Sequence, residues 1–99
     1  MHDGERLKKV REGIDLVDAQ IMRLLRRRFA AAKEIGEIKR QLGMDVLQPG
    51  RELEVIERAR KAAREAGISE DFAGKLFGEI MAESRNVQKG TQKQQNVRK

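Results

Sequence analysis

Residues 3–42 form one segment that no proline interrupts, and this segment constrains the fold more than any other feature of the sequence. Its apolar residues recur at intervals that alternate between three and four, as in a helix whose apolar stripe faces another helix. The stripe consists of Leu7, Val10, Ile14, Val17, Ile21 and Leu24, then Ile35, Ile38 and Leu42. The spacing predicts one long helix that stops at Gly43.

The length of this helix predicts a dimer. A helix of about 38 residues is about 57 Å long, whereas a compact domain of about 100 residues has a radius of gyration of only about 13 Å. The 99-residue chain is only 38% hydrophobic and has three aromatic residues, which is little for a core of its own. We therefore expect a homodimer in which the long helices of two chains pair in an intertwined helical bundle.

Two shorter helices are predicted in the rest of the chain. The second helix begins at Gln48-Pro49-Gly50, because proline is favoured in a first turn, and it ends at Gly67. Its inward-facing residues are Leu53, Ile56, Ala59 and Ala63. The third helix follows Ser69 as N-cap, and its stripe is Phe72, Ala73, Leu76, Phe77, Ile80 and Met81. The fold class is thus all-α, with a helical domain at residues 1–89 and a polar, aperiodic, disordered tail at residues 90–99.

Composition limits the cellular setting and the partners. The net charge is +6, but the excess lies in residues 1–44 and in the tail rather than on one continuous face, which argues against a nucleic-acid surface. The chain has no cysteine, and no apolar run resembles a signal peptide or a membrane span. We expect a cytoplasmic protein without a membrane partner.

Several polar residues stand where the helical pattern calls for apolar ones. Arg28 takes the stripe position after Leu24, and Lys39, eleven residues on, returns to within about 20° of the same face. In the third helix the stripe continues as Ser84 and Gln88, and Glu52 lies one turn before Ile56. Each has an ordinary alternative, such as a surface ion pair for Arg28 or a bond from Ser84 to its own helix. Together they predict a polar pocket built from all three helices.

The chemistry of this pocket is narrowed by the residue types that it lacks. The one histidine is His2, the serines are Ser69 and Ser84, and there is no cysteine, so the sequence contains no recognisable pair of nucleophile and base. No metal-ligand spacing or glycine-rich phosphate loop occurs. Such a pocket suits an anionic ligand, and a reaction accelerated by orientation and electrostatics alone.

From about Leu7 to Lys89 the sequence resembles the all-helical chorismate mutases. The similarity appears in the ordered strings VREGIDLVDAQIMRLLRRRF, EIGEIK, PGRELEVIERA and FAGKLFGEIMAESRNVQ. The resemblance implies an isomerase that converts chorismate to prephenate in the biosynthesis of phenylalanine and tyrosine. It also implies a homodimer that needs no metal or cofactor.

The resemblance also implies roles for single residues. Arg11 and Arg28 match two arginines that grip the substrate's carboxylates, with Arg11 supplied by the partner subunit. Lys39 and Gln88 match the pair that hydrogen-bonds the ether oxygen of the breaking bond. Further substrate contacts are implied for Glu52 with the ring hydroxyl, for Arg51 beside it, for Ser84 with a carboxylate, and for Gln48, which stands where some relatives carry Asp.

The spacing of Arg11 and Arg28 supports a shared site independently. Seventeen residues of helix separate them by about 25 Å and about 100°, so one small metabolite cannot touch both in a single chain. Three alternatives remain: an isochorismate-pyruvate lyase of the same fold, a basic nucleic-acid-binding helical module, and a purely structural dimerisation domain. The last leaves Arg28, Lys39, Ser84 and Gln88 unexplained.

Overall fold

The computed structural model describes the backbone of residues 2–98 and the side chains of residues 2–91. Within these residues the chain forms three α-helices and no strand: α1 (His2–Leu42), α2 (Pro49–Ala66) and α3 (Glu70–Arg98). The predicted all-α class, with one long helix followed by two shorter ones, is confirmed. None of the described helices is long and apolar enough to cross a membrane.

Glycines end α1 and α2 at the predicted positions. Gly43 and Gly67 have φ angles of +68° and +72°, a left-handed conformation that a residue without a Cβ adopts at little cost. After Gly43 the chain folds back on α1, and the N–H of Met44 donates to the carbonyl of Lys39 at 2.8 Å. Because of this reversal, the connection between α1 and α2 lies next to the last turn of α1.

Two interactions fix the turn between α2 and α3. Ser69 is the predicted N-cap, and its Oγ accepts a hydrogen bond from the N–H of Phe72 at 3.2 Å. Arg64, in the last turn of α2, donates to both carboxylate oxygens of Glu70 at 3.1 and 2.8 Å. This guanidinium contact lowers the pKa of the Glu70 carboxyl. The turn therefore sets how α3 returns along α2.

Helix α3 continues to Arg98, beyond Gly90, where the loss of apolar periodicity predicts its end. Propagation adds one backbone hydrogen bond per residue and needs no apolar period. Thr91 is buried, and its hydroxyl donates to the carbonyl of Val87 at 3.3 Å. The side chains of residues 92–99 lie outside the described residues, so the disordered tail at residues 90–99 stays a prediction.

The chain divides into two compact units, residues 1–31 and residues 32–99. The first unit is the N-terminal part of α1. Its apolar stripe is half exposed, at 48–61% of each side chain's reference surface. These residues are Leu7, Val10, Ile14, Val17, Ile21 and Leu24. Within this unit, then, the predicted stripe is present on the helix but is not covered.

The second unit packs α2 against α3 through small side chains. Its buried apolar residues are Ala32, Ala59, Ala63, Ala73 and Met81. Among the described residues no large side chain is less than 2% exposed. The inward positions of Ala59 and Ala63 are confirmed. Leu53, which is predicted to face inward, is exposed in the single chain, as are Phe72 and Leu76 of the predicted α3 stripe, because alanines form the contact between the helices.

Gly36 lets the last part of α1 approach α3 at Gln88. A Cβ placed on Gly36 would lie 2.9 Å from the Cα and 3.2 Å from the carbonyl oxygen of Gln88. Both are backbone atoms, which no change of rotamer can move aside. The glycine thus sets the distance between α1 and α3 where both carry candidate site residues.

We predict that Gly36→Ala destabilises the protein. Overpacking costs about 1–3 kcal/mol, which offsets or exceeds the gain of about 1 kcal/mol from replacing a helical glycine. Gly78→Ala is the matched control, since its Cβ would meet no atom within 4 Å. This substitution should therefore stabilise the protein through the higher helix propensity of alanine alone. Urea unfolding at one protein concentration measures both variants. Equal stabilisation by the two substitutions would contradict the close approach at Gly36.

Candidate active site

Lys39 is the centre of a polar cluster in residues 32–99. It lies in the last turn of α1, and its half-buried ammonium donates to the carbonyl of Val46 at 2.7 Å and to Oε1 of Gln88 at 2.9 Å. The reversal after Gly43 brings Val46 into reach. The structure thus brings together Lys39 and Gln88, two of the predicted site residues.

The contact with Lys39 fixes the orientation of the Gln88 amide. A lysine ammonium has three hydrogens and no lone pair, so only the amide oxygen can face it. Gln88 is 7% exposed, and its Nε2 group is turned away from Lys39 as a hydrogen-bond donor. The pair therefore presents one remaining ammonium hydrogen and an amide N–H₂ to a ligand.

Two effects act on the Lys39 ammonium in opposite directions. Burial lowers the pKa of Lys39 below its ordinary value of 10.5, since removal from water disfavours the charged form. The negative charge of Glu52 raises the pKa of Lys39, but less strongly. Glu52 is thus close enough to act on Lys39 electrostatically, and a third predicted residue joins the cluster.

Glu52 is held by a residue that the sequence analysis missed. Arg85 on α3 donates through Nη1 to Oε1 of Glu52 in the first turn of α2, and the two side chains are 29% and 24% exposed. Phe77, Met81 and Arg85 follow one another at intervals of four, so the spacing that singled out Ser84 and Gln88 also indicated Arg85.

Ser84 is buried and bonded to its own helix. Its Oγ donates to the carbonyl of Ile80 at 2.9 Å, which is the ordinary alternative considered for it. A hydroxyl has one hydrogen, and in this rotamer Ser84 uses it on the carbonyl of Ile80. It must rotate before it can donate to a carboxylate.

Gln48 and Arg51 lie at the start of α2. Nε2 of Gln48 donates to the carbonyl of Asp45 at 2.9 Å, so the side chain braces the preceding connection. The exposed Arg51 lies 4.0 Å from Glu54, a surface pair of little energetic weight.

Arg11 and Arg28 belong to residues 1–31 and both lie on α1. Arg11 is exposed and Arg28 is partly buried. Because α1 is helical throughout, the separation of about 25 Å along its axis holds. The structure does not bring these two arginines together within the chain.

The cluster of Lys39, Gln88, Glu52 and Arg85 provides fixed charges and oriented donors. Among the described residues, no group of three histidine, aspartate or glutamate side chains is arranged to hold a metal ion. Such a cluster can bind an anion and stabilise negative charge on an oxygen.

Comparison with known proteins assigns the family. Residues 10–89 match the chorismate mutase type II family. The chain is 34% identical over 85 residues to a chorismate mutase of Methanocaldococcus jannaschii, covering 86% of each chain. It is 30% identical over 88 residues to a 4-amino-4-deoxychorismate mutase of Streptomyces venezuelae, covering 89% of this chain and 85% of that one. It is also 32% identical over 80 residues to the T-protein of Haemophilus influenzae, of which it covers 21%.

The chain therefore belongs to the type II chorismate mutase family. This confirms the resemblance found in its sequence and the predicted enzyme class, an isomerase.

We predict that Lys39 titrates below 10.5 and that Glu52→Gln lowers its pKa further. The substitution removes the carboxylate that favours the ammonium and leaves the cationic Arg85 nearby. NMR titration of the lysine Cε resonances measures both values, and Lys39→Arg assigns the signal. A pKa of Lys39 that rises in Glu52→Gln would show that this carboxylate does not act on it.

Proposed function

We propose that this chain catalyses the rearrangement of chorismate to prephenate, on the route to phenylalanine and tyrosine. The observation that carries the proposal is the 2.9 Å hydrogen bond between Lys39 and Gln88, in a chain that matches the type II chorismate mutases over residues 10–89. It supports the pair of donors that the resemblance implies for the ether oxygen.

The geometry of the pair suits the charge that develops in this reaction. As the C–O bond of chorismate breaks ahead of C–C bond formation, negative charge grows on the ether oxygen. Lys39 uses two of its three hydrogens on Val46 and Gln88, and the third is left for that oxygen. Nε2 of Gln88 is the second donor. Because protein contacts already orient both groups, they stabilise the transition state without reorganisation.

The other site residues bind and orient the substrate. Arg11 and Arg28 grip the two carboxylates and select the compact conformer, in which the enolpyruvyl arm lies over the ring. The carboxylate of Glu52 accepts a hydrogen bond from the ring hydroxyl. Arg51 and Ser84 add polar contacts, and Gln48 contributes through its backbone. No proton transfer, covalent intermediate or cofactor is required.

The working form that we propose is an intertwined homodimer, with Arg11 reaching the partner's site. The half-exposed stripe of residues 7–24 supports this assembly. Burying a leucine, isoleucine or valine fully contributes about 1.5–3 kcal/mol, so covering six such side chains against a second copy is strongly favourable.

The function is tested by following the loss of chorismate and the formation of prephenate with purified protein. Chorismate should be consumed, and isochorismate should not yield pyruvate. Preferential release of pyruvate from isochorismate would favour the lyase of the same fold, which the ring-hydroxyl role of Glu52 argues against.

In the same assay we predict that Gln88→Glu is active only under acidic conditions. A carboxylate cannot donate a hydrogen bond, and contact with the Lys39 ammonium lowers the pKa of the new carboxyl. Activity should therefore fall as pH rises through that pKa, while the parent stays active across the neutral range. A flat profile near the parent's activity would remove Gln88 from the ether-oxygen role.

We predict that two inactive variants restore activity when mixed. Arg11→Ala and Arg28→Ala homodimers should each be nearly inactive, because every site lacks one arginine. After unfolding, mixing and refolding, about half of the dimers are hybrids, and one of their two sites combines intact Arg28 with the partner's intact Arg11. The mixture should recover about a quarter of the parental activity.

A matched control mixes Lys39→Ala with Gln88→Ala. These two side chains share a hydrogen bond within one chain, so each site of a hybrid lacks one of them and no activity should return. Mass spectrometry confirms that hybrids form. An absence of rescue in the Arg11 and Arg28 mixture, with hybrids present, would refute the shared site.

A further inference from the structure

We propose that Arg85 is a specificity-determining residue, which fits the Glu52 side of the site to a ring that carries a neutral hydroxyl and excludes one that carries an ammonium. The inference rests on the proposed function, in which Glu52 faces the ring substituent of the substrate. It concerns the choice between two substrates that differ in one group.

The contact between Arg85 and Glu52 leaves part of the carboxylate available. Arg85 donates to Oε1 of Glu52, and a carboxylate has about four lone-pair sites on its two oxygens. Oε2 can therefore accept a hydrogen bond from a ligand while the ion pair persists. Both side chains are about three quarters buried, at 29% and 24% exposure, where charges interact more strongly than in open water.

The charge around Glu52 is positive once its neighbours are included. Arg85 forms an ion pair with Glu52, and the Lys39 ammonium is close enough to interact with the same carboxylate. One negative group thus lies among two positive ones. A hydroxyl that donates to Glu52 adds no charge, whereas an ammonium there adds a third cation beside Arg85.

Without Arg85, Glu52 would be a favourable partner for an ammonium. A carboxylate attracts an amine cation more strongly than it attracts a neutral hydroxyl. The guanidinium reverses this preference, since it neutralises the carboxylate and repels a second cation. Discrimination thus comes from a repulsive element as well as from an attractive one.

Relatives of this chain include a protein whose name gives a substrate with a different ring substituent: the relative from Streptomyces venezuelae is a 4-amino-4-deoxychorismate mutase. As its name says, that substrate carries an amino group in place of the 4-hydroxyl, and an aliphatic amine is cationic at neutral pH. Membership of the family therefore does not decide which ring substituent a member accepts. In this chain, Arg85 supplies a local physical reason for preferring the hydroxyl.

The test compares kcat/KM for chorismate and for 4-amino-4-deoxychorismate in the parent and in three variants. The parent should prefer chorismate by about tenfold or more. Arg85→Gln should shift the ratio towards the amino substrate by about tenfold, chiefly through a lower KM for that substrate. Arg85→Lys keeps the positive charge and should keep the parent's preference. Arg58→Gln removes an exposed arginine of α2 and should leave the ratio unchanged.

The outcomes separate this inference from the proposed function. A parent that converts chorismate but uses the amino substrate equally well overturns the role of Arg85, whatever the folding of the variants. An equal loss for both substrates in Arg85→Gln reduces Arg85 to a structural residue and also overturns it. A parent that converts no chorismate refutes the proposed function itself.

Discussion

The hydrogen bonds of the Lys39 ammonium hold together the parts of residues 32–99 from which the site is built. They join the last turn of α1 to the connection before α2, through Val46, and to α3, through Gln88. Removing an ammonium from water is unfavourable unless its hydrogens find acceptors, and these two oxygens supply them. The arrangement depends in turn on Gly36, because any larger residue there would push Gln88 away from Lys39.

The same cluster explains how a small protein can favour one charge distribution in a ligand. Burial lowers the pKa of Lys39, and the negative charge of Glu52 offsets this lowering only in part. In the function that we propose, an anionic substrate adds negative charge next to this ammonium and so favours its charged form. Arg85 forms an ion pair with Glu52, and we propose that this pair limits how much of the Glu52 charge a ligand experiences. Orientation and electrostatics are thus set before substrate arrives, which is the condition for stabilising a transition state without mobile catalytic groups.

Local rules were sufficient to predict the three helices and the boundaries at Gly43, Gly67 and Ser69, because these boundaries depend on nearby residues. They did not predict the C-terminal end of α3, because this helix continues to Arg98 after its apolar periodicity is lost. The placing of Lys39 and Gln88 in one polar pocket could also be anticipated, since polar residues interrupted two apolar stripes, whereas their pairing was implied by the resemblance alone. The partner of Glu52 was missed although Arg85 follows Phe77 and Met81 at helical spacing, because spacing places a residue on a helix face but does not show which side chain of α2 it meets. The exposure of Leu53, Phe72 and Leu76 in the single chain was also not predicted, because periodicity gives the apolar face of a helix but not which residues on that face form the contact.

The use of alanine in the core connects the site to the assembly that we propose. Alanines at positions 32, 59, 63 and 73 make up most of the buried apolar core, and the distance between packed helices depends on the size of the side chains at their contact. A core of such small residues buries little apolar area, and a chain of this size has little stability to spare. The large apolar side chains of α1 stay half exposed in the single chain, and a second copy can cover them. The small side chains of the core are therefore consistent with the dimer that we propose, because they leave much of the apolar surface of the single chain for a partner to cover.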